Sequence, residues 1–296
     1  MEQQLLAFLQ YLEQQSSYSS NTTAAYKNDL GQFLEFLRDG RYAQLTDWDE
    51  VTEEVVHAYL AYMTESQTYA SSTIARKVAA VKSFFNYLRA RDLIDTNPAQ
   101  KVDSPKVKKR LPQTLTDDQV EQLLAAPTRK QTPKNLRDAA LLTILYATGM
   151  RVTEVVSLLL ADVDLDNQLL QCAGEKNEQR QIPFDEETKT VLQAYLRDGR
   201  PNLVKTQTEQ SLFLNHRGQQ LTRQGLWLII KAYAREVGLN QAVTPHTLRH
   251  SFAAHKLNSG SDLQEVQKLL GHANISTTQI YKQLNEQTES KGETGS

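Results

Sequence analysis

The sequence predicts a mainly α-helical chain in two parts: a four-helix N-terminal domain, then an α-rich domain holding one small antiparallel β-sheet. Three observations predict it. Apolar residues recur at i, i+3, i+4 and i+7 through the first hundred residues. Strand-like patterning is confined to two short segments between residues 168 and 184. A proline-bearing basic stretch separates the halves, and 296 residues suit two domains of about 150 each.

Leu5, Phe8, Leu9 and Leu12 form the first helical stripe, and Tyr26, Leu30, Phe33, Leu34 and Leu37 the second, after a start signal at Asn21 and Thr22. Val55, Val56, Tyr59, Leu60 and Met63 form the third. Ile74, Val78, Val81, Phe84, Phe85 and Leu88 form the fourth. The N-terminal domain therefore spans 1–100. Residues 101–114 follow as a linker, with Lys101, Lys106, Lys108, Lys109 and Arg110 among two prolines. That segment reads either as a solvated connector or as an electrostatic strap over phosphates. The second domain, 115–296, opens with Thr116 capping a helix that runs to Leu124. An apolar helix over 136–147 stops at Gly149, and a short helix covers 152–159. Residues 168–173 and 179–184 read as strands around a polar turn. Helices follow at 186–197, 222–237, 246–257, 262–270 and 276–284, and the last dozen residues are too polar to pack.

Composition narrows the class. The formal charge is −2, with 40% hydrophobic and 23% charged residues, an ordinary globular profile. No apolar run approaches the ~20 residues that span a bilayer, which argues against a membrane protein. The acidic, amphipathic start lacks the basic region of a secretory signal. One cysteine, Cys172, leaves no intramolecular disulfide and no paired-cysteine zinc site. A reducing cytoplasm is the expected setting. Charge is uneven: residues 1–104 carry 9 Lys/Arg against 14 Asp/Glu, and residues 105–296 carry 24 against 21. A modest total still permits nucleic-acid binding where the basic groups line one face.

The chemistry concentrates in three stretches. Thr244 and Pro245 open a helix, which places His246 and Arg249 three apart on one face of its first turns, near an end that favours anions. His246 alone is as compatible with a structural histidine; Arg249 at i+3 adds the case for an anion site. Ser261 to Gln264 form a capping box for a helix ending at Gly271, directly before His272. A second capping box, Ser276 to Gln279, opens a short helix carrying Tyr281. A tyrosine on such a helix is ordinarily a core residue. Arg151 lies between two apolar helices and pairs either with Glu154 at i+3, as on any surface, or with a bidentate anion.

With these residues in view, the chain resembles the tyrosine recombinases, and most closely their Xer-type group. The resemblance is carried by ATGMRVTEV around Arg151, HTLRHSFA with His246 and Arg249, and LGHANISTTQIY with His272 and Tyr281. It spans nearly the whole chain, since the N-terminal four helices resemble the family's SAM-like core-binding domain. The resemblance implies a site-specific DNA recombinase. Tyr281 would attack a scissile phosphate to give a 3′-phosphotyrosine. Arg151 and Arg249 would grip the non-bridging oxygens, His246 would handle the tyrosine proton, and His272 would assist at the phosphate. A hairpin lysine would protonate the leaving oxygen. The family's hairpin pattern is not kept here: 174–183 reads GEKNEQRQIP, so an ungapped alignment puts Glu175 at that position and a turn one residue shorter puts Lys176 there. Lys176 is the only lysine in the hairpin and is the expected acid. Glu154 is expected to orient Arg151. No metal, ATP or other cofactor is implied. The implied partners are double-stranded DNA with an inverted-repeat core site, a homo- or heterotetramer on two duplexes, and a DNA translocase. Chromosome dimer resolution is the expected role, with integration or excision of a mobile element as the alternative. A type IB topoisomerase-like activity and a non-catalytic DNA-binding protein are the more distant readings.

Overall fold

The computed structural model describes residues 1–15, 18, 20–66, 68–105, 113–173, 179–206, 208–239 and 242–271. The chain divides into two units, Met1–Lys109 and Arg110–Ser296.

The first unit holds the four helices that the stripes predict: α1 (Glu2–Gln14), α2 (Ser20–Arg38), α3 (Glu53–Glu65) and α4 (Ser71–Arg89). Each buries its apolar stripe, because a helix repeating every 3.6 residues sets positions three and four apart on one side. Leu12, Leu30, Phe33, Phe84, Phe85 and Leu88 are all at most 1% exposed. Burying one such side chain is worth about 1.5–3 kcal/mol. The loop before α3 supplies what the periodicity does not: Trp48 packs edge-on to Phe84, with ring centroids 4.7 Å apart, and its indole N–H donates to the Met1 carbonyl at 2.9 Å. One charged group is also enclosed. Asp29 on α2 is fully buried and takes an ion pair from Lys77 on α4 at 3.2 Å and another from Arg76.

The second unit begins with α5 (Asp117–Ala125), which Thr116 caps as expected, with Gln119 completing a capping box. The long apolar α6 (Pro133–Thr148) runs through its core and ends at Gly149 in the left-handed conformation, φ 59°. A three-stranded antiparallel sheet follows α7 (Val152–Ser157). Its order is β1 (Val163–Asp164), β2 (Leu169–Ala173), β3 (Gln179–Pro183), with Leu170 opposite Ile182 and Cys172 opposite Arg180. Then come α8 (Glu186–Ala194), α9 (Arg223–Glu236), α10 (Pro245–Asn258) and α11 (Leu263–Leu270).

Four local expectations need correction. The sheet has a third strand, β1, whose two residues are too few for an alternating pattern to show. The helix expected over 152–159 stops at Ser157, because Leu158 and Leu160 turn to pair with the 210–212 backbone: Leu212 N–H donates to the Leu158 carbonyl at 2.8 Å and Leu160 N–H to the Gln210 carbonyl at 2.9 Å. The helix expected over 186–197 leaves α geometry at Ala194 and ends in a π turn, Tyr195–Gly199, which buries the Tyr195 ring against Phe213 and lets its hydroxyl donate to the Leu212 carbonyl. The cap of α11 is Asp262, not Ser261: its carboxylate accepts from the Gln264 N–H at 3.1 Å. The helix expected over 276–284 lies outside the described residues, as does the polar turn 174–178.

Candidate active site

Three elements meet at the end of α6. Gly149 caps that helix with positive φ, and a Cβ there would overlap the Phe252 ring on α10 and approach Leu270 Cδ2 to 2.9 Å. Only glycine meets both demands at once. The close approach brings α10 and the C-terminal end of α11 against the start of α7, and the site arginines sit in that crevice.

Arg249, on α10, is 7% exposed. Its Nη1 donates to the Gly149 carbonyl at 2.5 Å and its Nη2 to the Leu270 carbonyl at 2.7 Å. Arg151, just before α7, donates through Nη2 to the Gly271 carbonyl at 2.8 Å. Its Nη1 pairs with Glu154 Oε1 at 3.1 Å. Arg151 thus holds the i+3 carboxylate and also donates to a backbone carbonyl from a distant segment. Helix C-terminal carbonyls carry the negative end of the helix dipole, which suits guanidinium donors. Two cations from distant segments thus converge on consecutive carbonyls directly before His272.

His246 is exposed on the first turn of α10, and its ring centroid lies 6.4 Å from that of His250, one turn on. His246 is exposed and Arg249, three residues on, is buried, so the imidazole lies nearer the surface than the guanidinium. Burial, with His246 and Arg249 nearby, lowers the His250 pKa to about 4. Lys176, His272 and Tyr281 lie outside the described residues.

Glu154 organises the basic side of the site. It is 8% exposed. Its Oε2 accepts from the Arg151 backbone N–H at 2.7 Å and from Arg180 Nη2 at 2.9 Å, and its Oε1 accepts from Arg151 Nη1 at 3.1 Å and Arg180 Nη1 at 2.8 Å. Burial opposes its ionisation, but the Arg180 hydrogen bonds, the Arg151 N–H and both positive charges outweigh it and hold the carboxyl below its ordinary range. Cys172 lies on the neighbouring strand. Burial first, and the Glu154 charge second, push its thiol up to about 11. Arg180 is the site residue that sequence reasoning missed. Its signal was strand alternation, which puts it on the same side of β3 as the buried Ile182.

The linker end of this unit is also tied to the site helix. Leu115 N–H donates to the Ser251 hydroxyl at 2.8 Å, and the Leu115 carbonyl lies 2.9 Å from His255 Nε2. Both partners are on α10, beyond Arg249.

A helical N-terminal unit and an α-rich second unit with two converging arginines define a class, the phage integrase or tyrosine recombinase family, and this chain belongs to it. The Phage integrase family model matches residues 113–288, and the Phage integrase, N-terminal SAM-like domain model matches residues 5–92. Within that class the chain is similar to Xer proteins. It is 49% identical over 290 residues to Tyrosine recombinase XerC of Roseiflexus castenholzii, covering 97% of this chain and 91% of that one. It is 41% identical over 277 residues to Tyrosine recombinase XerD of Halalkalibacterium halodurans, covering 94% and 91%. In three dimensions it is similar to XerH site-specific recombinase bound to palindromic difH substrate in a post-cleavage complex, with TM-score 0.76, 21% identity, and 92% and 79% coverage. XerA recombinase matches with TM-score 0.55, 26% identity, and 99% and 97% coverage. Among the described residues, no helix is long and apolar enough to cross a membrane.

Proposed function

We propose that this chain is a Xer-like site-specific recombinase that cuts and rejoins DNA through a 3′-phosphotyrosine, and that it serves chromosome dimer resolution. The observation that carries the reading is the convergence of Arg151 and Arg249 on the Gly271 and Leu270 carbonyls, one step before His272. Both guanidiniums end on neutral carbonyls, and Arg151 also shares the Glu154 carboxylate with Arg180, which leaves positive charge in the crevice for an anion. A phosphate gaining negative charge in its pentavalent transition state is stabilised more than its ground state by such fixed cations.

In this reading Tyr281 is the nucleophile. Its phenol proton passes to His246, whose ring is exposed. Arg151 and Arg249 hold the non-bridging oxygens, His272 assists at the phosphate, and Lys176 protonates the leaving 5′-oxygen. The phosphotyrosine conserves the bond energy for religation, so ATP has no role, and the cations named replace a metal. The substrate is double-stranded DNA with an inverted-repeat core, held by a homo- or heterotetramer across two duplexes. A DNA translocase supplies the control. The protein would act in the cytoplasm. The domains proposed for this work are 1–100, the linker 101–114, and 115–296. The similarity to proteins named XerC and XerD along nearly the whole chain supports this over a mobile-element role.

The test is covalent trapping. Nicked suicide duplexes made from host genomic fragments are mixed with the protein in EDTA, and adducts that survive SDS are sequenced. The expected result is an adduct with the wild type and none with Tyr281→Phe, which still binds DNA. An adduct that persists in Tyr281→Phe would move the nucleophile elsewhere. No adduct even with the host's other recombinase added would leave a DNA-binding protein without cleavage activity.

A further inference from the structure

Arg180 carries more interactions than its place on a short strand requires. The alternation of β3 turns it to the side of Ile182. There it closes a two-point ion pair on Glu154, at 2.8 and 2.9 Å. Its guanidinium also rests against Gly271: a Cβ at that residue would come within 2.9 Å of Nη1 and 3.0 Å of Cζ. Its Nε is buried with no hydrogen-bond partner. Stability alone accounts poorly for this residue. Enclosing an ion pair costs several kcal/mol per ion before attraction offsets it, and an orphan donor adds to that cost. An apolar side chain at the same position would incur neither.

We propose that Arg180 is a positioning residue for Arg151: it fixes the Glu154 carboxylate that holds Arg151 by its backbone and its side chain, and it seats the Gly271 backbone whose carbonyl receives the other end of Arg151. The proposal rests on the reading of Arg151 as a phosphate ligand in strand cleavage. The Glu154 carboxylate accepts two hydrogen bonds from Arg151 and two from Arg180, beside the Cys172 thiol, so the two arginines share one carboxylate. Arg180 therefore sets the angle at which that carboxylate meets Arg151. A displacement of about 1 Å in a group that grips the reacting phosphate costs about 100-fold in rate.

The same geometry gives a pH signature. The groups around Glu154 are Arg151 on its own helix, Arg180 on β3 and the Cys172 thiol on β2. Arg180 supplies the strongest favourable interaction with the carboxylate. Without it, Glu154 takes up a proton at a higher pH, and a protonated carboxyl is a weaker acceptor for Arg151. The defect should deepen as pH falls.

The experiment measures single-turnover cleavage between pH 5 and 8 on a nicked duplex that the wild-type chain has been shown to trap, with DNA affinity measured by fluorescence anisotropy. The variants are Arg180→Gln, Arg180→Lys, Glu154→Gln and the double substitution. Arg180→Gln is expected to bind DNA within about twofold of wild type, to lose about 100-fold in cleavage at neutral pH, and to fall more steeply than wild type as pH is lowered. Arg180→Lys should recover part of the rate, since it restores charge but not the two-point fork. The double variant should lose much less than the product of the two single losses, because Arg180 acts mainly through that carboxylate. A wild-type pH profile in Arg180→Gln, or rate losses that multiply in the double variant, would overturn the proposal while leaving the recombinase reading intact. Failure of the wild type to trap any duplex would overturn both.

Discussion

Arg151 and Arg249 end on neighbouring carbonyls: Arg151 donates to Gly271 at 2.8 Å and Arg249 to Leu270 at 2.7 Å. The two differ in exposure, and their substitutions should differ accordingly. Arg249→Ala leaves the Gly149 and Leu270 carbonyls without this donor in a buried place, which costs about 1–3 kcal/mol for each unsatisfied group. The Arg151 side chain is 29% exposed, so Arg151→Ala admits water and should destabilise less. Both should lower cleavage by about 100-fold or more while DNA binding persists. Thermal unfolding beside single-turnover cleavage checks the split; equal stability losses would contradict the difference in burial.

Gly149 is fixed by two independent demands, its φ of 59° and the Phe252 ring beside it. Gly149→Ala should therefore destabilise the second unit by about 1–3 kcal/mol. It should also lower cleavage, because the Gly149 carbonyl that anchors Arg249 must shift. Gly238→Ala is the control: it shares the positive φ but meets no atom within 4 Å. Comparable losses in the two variants would mean that backbone strain alone, rather than the close approach of α10, matters at Gly149.

Two groups give a pH dependence of stability. The folded-state pKa of Glu154 lies below its ordinary value, so its contribution is present at neutral pH and is lost as pH falls through the folded value. The pKa of His250 is lowered to about 4. Its imidazole stays neutral in the fold while the unfolded chain takes up a proton below about pH 6.5, so stability falls from there toward pH 4. Urea unfolding as a function of pH should show stability decreasing on acidification, and His250→Gln should remove part of that slope above pH 4. NMR should find the His250 ring neutral at pH 5.5; a charged ring there would refute this account.

The enclosed cluster in the N-terminal unit should respond asymmetrically. Asp29→Asn leaves Lys77, 1% exposed, without its ion-pair partner, a change of the kind that costs about 3–5 kcal/mol. Lys77→Met keeps Arg76 on Asp29 and should cost less. Trp48, packed between Phe33 and Phe84, reports the unfolding of this unit by fluorescence once Trp227 is replaced by Phe.

Lys176→Ala should slow strand cleavage and spare DNA binding. Substrates with a 5′-phosphorothiolate leaving group need no proton at that atom and should restore the rate. Absence of rescue would return the general-acid role to another residue.

The helices and their apolar faces were legible in the sequence because each is a local property. A stripe such as Ile74, Val78, Val81 and Phe85 repeats at the helical period whatever it packs against, and Thr116 with Gln119 caps a helix using only its own turn. Arg151, His246 and Arg249 were singled out as candidates the same way, from residue types within a few positions of one another. What tertiary structure decided is everything that joins distant segments. The two-residue strand β1 and the early end of α7 depend on pairing with chain found elsewhere. The burial of Arg249 depends on carbonyls at Gly149 and Leu270. Arg180 is the clearest case: in the sequence it is one polar residue in a turn-and-strand segment, and only the packing of β3 against α7 and the end of α11 gives it Glu154 and Gly271 as neighbours. Periodicity records which side of an element is buried. It holds no record of which distant carbonyl or carboxylate will be waiting there, because that is set by the closure of the whole core.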